Sequence, residues 1–455
     1  MSDFQPVGQV EIEELVSGIR NVTEKLLDRF DKEGGFGQEL RCCPISDELF
    51  TVRDRWIVFK RVPRLRLALF LGGLIQMFVR SKQSSGFGYV ANPRNPLSFF
   101  HQSFFNDLLI WEILWKVREF VPPSTGARIT EGVQKTLGAL RGNGRSVEYE
   151  GMSLEMFSYF SPIDAEPSRK GFFRSLVKLM DVGVPDNDTT SVVFSAAIRL
   201  ADLAGLDIEG GWKNDWSAFI PFLKEHVYRR GKIGMGSLSY ENGVEDMDRG
   251  VYTWILEKNN DVDATSNVNI LGFLATIFPR LDAKLKQTSV ELARGIFDFL
   301  RKHAHNGKMV TQRFQQFYPM SSALFYWHRL SSIWADADAE TRCNLDPEGC
   351  FQEIDKVWRR WTGKTLREKP DAFNPSDLVW ASPFLEETGL QDQLGLRPTT
   401  TRVLNDPDLR NSDTFHVLYP IRMICIAPGL LLASHLSSLN IRKRKAAITA
   451  APKSQ

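Results

Sequence analysis

Two segments of the chain have the same polar residues at the same spacing: Pro185-Asp186-Asn187-Asp188-Thr189-Thr190-Ser191-Val192 and Asn260-Asp261-Val262-Asp263-Ala264-Thr265-Ser266-Asn267. Each has two Asp, a Thr and a Ser at equal offsets, and each opens an apolar run with helical spacing. A supersecondary unit that occurs twice is typical of proteins built from stacked or ring-arranged helical hairpins. The two segments therefore predict a helical repeat architecture.

Helical periodicity extends over most of the remaining chain. Apolar residues between Ile12 and Phe30, and again between Val290 and Leu300, follow the i, i+3, i+4, i+7 spacing of one helix face. The stretch Phe99–Phe120 is apolar nearly all round, which suits a helix that is buried on most sides. Alternation typical of strands is hard to find, and short joints rich in Gly and Pro separate the helical runs. We expect an all-α fold.

The breaks between helical runs predict one extended array without long linkers. A weak seam at Arg141–Gly151 divides an N-terminal helical part, residues 1–140, from a core at residues 141–440 that carries both Asp-containing segments. Residues 441–455 are polar and basic, and we expect them to form a flexible tail.

Two apolar runs bear on membrane contact. Leu67–Val79 is shorter than a segment that crosses a bilayer. Met423–Leu439 contains Pro428 and His435 and is followed by four basic residues, which favours a buried terminal helix before a solvated tail. The alternative for this second run is shallow contact with a membrane surface.

Composition limits the class of protein. With 57 Lys and Arg against 55 Asp and Glu, the 455-residue chain has no positive field that would attract nucleic acid. The five Cys have no zinc-type spacing and no paired framework, and the N-terminus has no signal-peptide pattern. These features predict a cytoplasmic protein with free thiols. Its 11 Trp and 31 Phe either fill a helical core or line an apolar cavity.

Asp188 has two interpretations. Asp is a preferred N-cap residue, and Thr189, Thr190 and Ser191 suit a helix start, so one interpretation is a capped helix N-terminus. A cap needs a single Asp, however, whereas here Asp186 precedes Asp188 by two residues. When two carboxyl groups lie close together, the pKa of one of them is raised, because the two negative charges repel each other. A proton held in this way against an apolar cavity makes a strong general acid.

At Asp186-Asn187-Asp188-Thr189-Thr190 the chain resembles the class II terpene cyclases, which include the squalene–hopene cyclases. This family protonates an alkene or epoxide with an Asp-x-Asp-Asp-Thr segment at the head of a helix in an (α/α) barrel. Drimane-type sesquiterpene cyclases have the variant Asp-x-Asp-Thr-Thr, which matches here letter for letter. The resemblance implies a toroid of antiparallel helical hairpins with Asp188 as the proton donor, supported by Asp186 and Thr189. It also implies a linear isoprenoid substrate, such as a C15 or C20 diphosphate.

The second carboxylate pair, Asp261 and Asp263, is open to two interpretations. Its functional interpretation is a second polar wall of the same cavity, or a site for Mg²⁺ bound to a substrate diphosphate. The other interpretation is a structural cap in a repeated hairpin. No other cofactor is predicted. His303 and His305 lie at i and i+2, on different sides of a helix, and are poor joint metal ligands.

Aromatic residues near the two segments are candidates for a substrate lining, because aromatic faces stabilise carbocations. The alternative for each of them is packing in the core. The candidates are Trp212, Tyr252, Trp254, Phe317 and Tyr326.

Two further functions remain open at this point. A non-catalytic helical-repeat protein would use the same hairpins to bind a lipid or protein partner. A phosphatase of the haloacid dehalogenase type would use Asp186 as its nucleophile, since its motif is also Asp-x-Asp-x-Thr. That motif follows a buried strand, whereas Asp181, Gly183 and Pro185 interrupt the residues before Asp186.

Overall fold

The structure is a computed structural model, and ten α-helices make up most of its described part, which confirms a mostly helical protein. The described residues are 8–33, 35–36, 38–42, 90–92, 95–101, 104–140, 143–158, 185–229, 248–253, 262–305, 320–368, 384, 388, 415–416 and 421–424. The predictions for Leu67–Val79 and for the tail at 441–455 lie outside these residues.

The secondary structure elements follow the chain in this order. The helices are α1 (Gly8–Glu33), α2 (Phe104–Val117), α3 (Pro123–Leu140), α4 (Asn187–Ala204), α5 (Glu209–Glu225), α6 (Ala264–Ile277), α7 (Ala283–His305), α8 (Met320–Asp336), α9 (Ala339–Leu345) and α10 (Cys350–Glu368). The strands are β1 (Gln38–Cys42), β2 (Val90–Asn92), β3 (Asn95–His101), β4 (Arg145–Tyr149), β5 (Met152–Met156), β6 (Phe415–His416) and β7 (Ile421–Ile424).

Successive helical hairpins form two layers. The helices α2, α4, α6 and α8, which we call the inner helices, pack side by side in chain order. The helices α5, α7 and α10 pack in the same order behind them. Inner helices α2 and α6 are buried around nearly their whole circumference, whereas α7 buries one face. This arrangement follows from sequence, because a helix that is apolar all round must be covered on all sides.

The inner helices α2 and α6 end alike. Each continues into a 3₁₀ turn, at Arg118–Phe120 and at Phe278–Arg280, and the next helix begins after two further residues. Helix α4 ends instead at Gly205, whose φ of 66° is left-handed and therefore favours glycine. The N–H groups of Gly205 and Leu206 donate to the carbonyls of Asp202 and Ala201, a Schellman ending. Short connections thus join α2, α4 and α6 to the helix that follows each of them.

The seam predicted at Arg141–Gly151 contains a β-hairpin that sequence analysis missed. Strands β4 and β5 pair antiparallel from Arg145 with Met156 to Tyr149 with Met152. The turn residues Glu150 and Gly151 both have positive φ, as a two-residue type I′ turn requires. Five-residue strands alternate too briefly to stand out against the helical pattern of the flanking residues.

A five-stranded antiparallel sheet is a second departure from the all-α expectation. Its strand order is β2-β3-β1-β7-β6. The prediction of one helix over Phe99–Phe120 was wrong at its start, because Phe99–His101 belong to β3 and α2 begins at Phe104. The helix predicted over Met423–Leu439 was wrong at Met423 and Ile424, which lie in β7; the remainder is outside the described residues. Pairing of β1 with β7 joins opposite ends of the chain, and local sequence patterns do not reveal such pairing.

No helix in the described part of the chain combines the length and the apolar character that crossing a bilayer requires. The two-layer packing explains the apolar character of α2 and α6, because their side chains are covered by neighbouring helices.

Candidate functional site

Asp186 caps the helix that carries the first Asp-containing segment. Its backbone is extended, and its Oδ1 accepts a hydrogen bond of 2.6 Å from the Thr189 backbone N–H. Its Oδ2 accepts a second bond, of 2.9 Å, from the Thr189 hydroxyl. Both carboxylate oxygens are therefore engaged at the start of α4, and the capping interpretation applies to Asp186.

Asp188 lies two residues further along the chain and is not a cap. It is the second residue of α4, its side chain is 1% exposed, and its Oδ1 accepts a hydrogen bond of 2.8 Å from Asn269 Nδ2. Asn269 lies on α6, so the bond crosses between two inner helices. The two neighbouring carboxylates thus have different roles. Asp186 caps the start of α4, and Asp188 is held in the interior by a hydrogen bond from α6.

Asp263 is the N-cap of α6. Its Oδ1 accepts from the backbone N–H groups of Thr265, at 2.6 Å, and Ser266, at 3.2 Å. Because Asp186 and Asp263 are the two N-caps, the structure aligns Asp186 with Asp263. The match in sequence letters instead aligns Asp186 with Asp261, two residues earlier. The pairing of Asp188 with Asp263 that the letters suggest was therefore wrong: structurally, Asp188 corresponds to Thr265.

A second set of contacts supports this structural alignment. Four residues after the first cap, Thr190 Oγ bonds to both the N–H and the carbonyl of Phe157, at 3.0 and 3.3 Å. Four residues after the second cap, the Asn267 side chain bonds to the N–H and the carbonyl of Val251, at 2.8 and 3.1 Å. In both units a side chain at the same position binds the extended segment that precedes the helix. The second residue of the helix is buried in both units, but only in the first unit, at Asp188, is it a carboxyl.

The two helix starts are also tied to one another. The Asn187 N–H donates to the Thr253 carbonyl, at 2.9 Å, and Asn187 Nδ2 donates to the Tyr252 carbonyl, at 2.7 Å. The Thr253 hydroxyl in turn donates to Ser266 Oγ at the start of α6. These bonds fix the start of α4, and with it the Asp188 backbone, against the segment that leads into α6.

Tyr326 of α8 lies in the interior between the inner helices, where the Asp188 carboxylate acts on it electrostatically. It is fully buried, and its ring centroid is 6.1 Å from that of Phe105 on α2. Burial and the nearby Asp188 carboxylate raise the pKa of Tyr326 well above its usual value, although Arg329 opposes them. The phenol is therefore protonated at neutral pH and is available as a hydrogen-bond donor.

A buried ion pair lies one helical turn along α8 from Tyr326. Arg329 Nε donates to Glu112 Oε2 at 2.7 Å, and Arg329 Nη2 donates to Glu112 Oε1 at 3.2 Å and to Ser195 Oγ at 2.9 Å. Arg199 Nε also contacts Glu112, at 3.2 Å. Burial opposes ionisation of Glu112, but Arg329 and Arg199 outweigh it, so the pKa of this carboxyl lies below its usual range.

Sequence analysis missed this ion pair. Its two partners are 217 residues apart in the chain, so no local motif contains both. The available signal was Glu112 in the otherwise apolar stretch Leu108–Trp115 of α2, and a single Arg in the apolar part of α8. Charged residues are rarely buried without a partner, so each predicted a partner without identifying it.

The predicted lining residues are not all brought together. Tyr326 is buried on α8, where the Asp188 carboxylate acts on it electrostatically. Trp212 lies elsewhere, in an aromatic cluster where its ring is 5.9 Å from Phe194 and 6.2 Å from Phe157. Tyr252 is buried with its ring 6.0 Å from Tyr228. The other candidates, Trp254, Phe317 and Asp261, lie outside the described residues.

Metal binding was predicted only for Mg²⁺ carried by a diphosphate, and it stays a prediction. Within the described ranges, no three His, Cys, Asp or Glu side chains converge as metal ligands would. His303 is buried on α7 with its ring 4.5 Å from Phe299, whereas His305 Nε2 lies 2.5 Å from Glu353. The two histidines therefore have separate partners.

Comparison with known proteins leaves the site to be interpreted from its own geometry. No protein-family model, curated protein or solved structure matches this chain. The residues that the fold brings together are Asp188, Asn269, Tyr326 and the Arg329–Glu112 pair, contributed by all four inner helices. We call this group the interior polar site.

Proposed function

We propose that the protein is an enzyme similar to class II terpene cyclases, with Asp188 as the general acid. The observation that carries the proposal is the separation of the two carboxylates. Asp186 closes the start of α4, whereas Asp188 is buried and held by Asn269 from the neighbouring inner helix. A carboxyl that serves no capping bond and is removed from water suits proton donation to an apolar substrate.

The proposed reaction begins with transfer of the Asp188 proton to the terminal alkene of a linear isoprenoid. A new C–H bond forms at one alkene carbon, the other becomes a tertiary cation, and the internal alkenes attack in turn. Loss of a proton from the final cation gives a cyclic isomer of the substrate. The substrate class is a C15 or C20 diphosphate, which would bring Mg²⁺ with it.

Burial and aromatic rings support this chemistry. Asp188 is 1% exposed, so water does not compete for its proton or quench a cation beside it. The rings of Tyr326 and Phe105 pack against each other in the same interior, and aromatic rings can stabilise cations. We further propose that the hairpins complete an (α/α) toroid around the substrate.

A second candidate is a non-catalytic helical-repeat protein that binds a lipid or protein partner. The observation in its favour is the Arg329–Glu112 pair, which fills interior space between inner helices and could specify their packing. The dehalogenase-type phosphatase has less support. Both oxygens of its nucleophile candidate, Asp186, accept bonds from Thr189, and every strand pair in the described residues is antiparallel.

Incubation of the purified protein with linear isoprenoid diphosphates tests the proposal. We expect a C15 or C20 diphosphate, with Mg²⁺, to yield a cyclic product that retains its diphosphate, detected by mass spectrometry of the intact diphosphate. Squalene is included in the panel, and a generic phosphomonoester serves to detect phosphatase activity. A panel without any cyclic product would favour the binding protein, and Mg²⁺-dependent phosphomonoester hydrolysis lost in Asp186→Asn would favour the phosphatase.

A further inference from the structure

Helix α10 has an apolar face that is fixed in the core. Ile354 and Trp358 are buried, and the ring centroid of Trp358 lies 4.6 Å from that of Trp327 on α8. Trp327 Nε1 also donates a hydrogen bond of 2.9 Å to the Asp355 carboxylate of α10. These contacts fix the rotation of α10 about its axis, so the opposite face of the helix is presented to solvent.

The outward face of α10 carries a row of cations, Lys356, Arg360, Lys364 and Arg367, which we call the basic stripe. All four side chains are exposed, and their spacing of four, four and three residues places them along one side of the helix. Eleven residues of helix make the stripe about 16 Å long. No acidic residue occurs in the sequence between its first and last members.

The charge of the basic stripe is not neutralised within the described part of the chain. Three of its four side chains form no ion pair there, and the fourth, Lys364, lies 4.0 Å from Glu368. Lys224 of α5, by contrast, lies 2.7 Å from Glu291. A cation in the last turn complements the helix dipole, but this reason applies to Arg367 and not to the stripe as a whole.

Trp361 borders the basic stripe. It is half-buried, and Lys364 Nζ lies 5.0 Å from the centroid of its ring. A Trp beside a row of Lys and Arg is typical of helices that lie at a membrane surface, where the ring is at headgroup level and the cations reach the lipid phosphates. A straight row of side chains also suits a flat surface, because all four can contact it at once. The near-equal numbers of basic and acidic residues, 57 and 55, argue against nucleic acid as the partner.

We propose that the basic stripe of α10 docks the protein on a membrane surface that contains anionic lipids. Because the apolar face of α10 stays in the core, the contact is electrostatic and shallow. Each Lys or Arg near such a surface raises affinity by a factor of about 5, so four give reversible binding of several hundredfold over a neutral surface. This interaction goes beyond the proposed function and holds whether or not the protein is a cyclase.

Co-sedimentation of the full chain with vesicles tests the docking surface. We expect binding to phosphatidylcholine vesicles that contain phosphatidylserine, no binding to pure phosphatidylcholine, and release as salt screens the exposed charges. The double variant Arg360→Gln, Arg367→Gln should lower the partition coefficient by about 30-fold, because two cations are lost. Lys284→Gln, Arg294→Gln is the matched control: it removes the same charge from exposed positions on α7 and should bind like the wild type.

Two results would overturn the inference. One is an equal partition coefficient for the wild type and the stripe variant, or an equal loss in the α7 control, since either places the binding elsewhere in the chain. The other is a preference of the wild type for a DNA duplex over anionic vesicles that is lost in the stripe variant, which would make nucleic acid the partner. Circular dichroism of each variant checks that the exposed substitutions leave the fold intact.

Discussion

Asp188→Asn is expected to lower the rate of cyclisation by at least the roughly 10²–10⁴-fold that is typical of losing an acid–base group. The substitution keeps the shape of the side chain and an oxygen that can accept from Asn269, but it removes the acidic proton. Because the site is buried, water does not protonate the substrate in place of Asp188. Rates measured by product formation, with thermal unfolding as a check on folding, give the comparison.

The two capping aspartates provide matched controls for this experiment. Asp186→Asn and Asp263→Asn replace N-caps by a residue that caps about as well, so both stability and activity should stay close to those of the wild type. Near-normal cyclisation in Asp188→Asn combined with its loss in Asp263→Asn would move the acid to the second unit. Full activity in all three variants would remove the acid hypothesis.

Glu112→Gln is expected to lower the free energy of unfolding by roughly 3–5 kcal/mol, the usual cost of breaking a buried ion pair from one side. The cost arises because Arg329 stays buried without a counter-charge, while Arg199 loses the same partner. Chemical denaturation of both proteins measures the difference. Glu291→Gln is the matched control: its pair with Lys224 is also short, at 2.7 Å, but almost half exposed, so it should cost only about 0–1 kcal/mol.

The pH dependence of this difference follows from the lowered pKa of Glu112. A carboxyl whose pKa is lower in the folded than in the unfolded state contributes stability above its unfolded pKa, about 4.3 for Glu. That contribution disappears as the pH falls from there through the folded pKa. The difference in the free energy of unfolding between wild type and Glu112→Gln should thus be largest at neutral pH and should decrease below about pH 4. A gap that is constant with pH would show that ionisation of Glu112 is not its source.

Local patterns in the sequence were sufficient to predict the helical hairpins and the two helix starts, because capping and helical spacing involve residues close in the chain. The register between the two units could not be predicted in this way. The letters align Asp188 with Asp263, but the cap is decided by backbone conformation, which is extended at Asp186 and at Asp263. Only the structure shows that Asp188 and Thr265 occupy equivalent positions in their helices.

The remaining features depend on distant contacts. The β4–β5 hairpin is too short to interrupt a helical pattern convincingly, and the β1–β7 pairing joins segments near opposite ends of the chain. The Asn269–Asp188 bond and the Arg329–Glu112 pair likewise join different helices. Asp188 and Tyr326 were both candidates from the sequence, but it is the packing of α4 and α8 on either side of α6 that brings their helices together, and no motif predicts it.

The central claim, protonation of an alkene by Asp188, is tested most directly by running the reaction in D₂O. Asp188 exchanges its acidic proton with solvent, so the first step should add deuterium to the substrate. We predict a cyclic product that carries a single deuterium at the carbon of the former terminal alkene and retains its diphosphate. Products without deuterium, formed with release of diphosphate, would show that cyclisation begins by ionisation and would contradict the account.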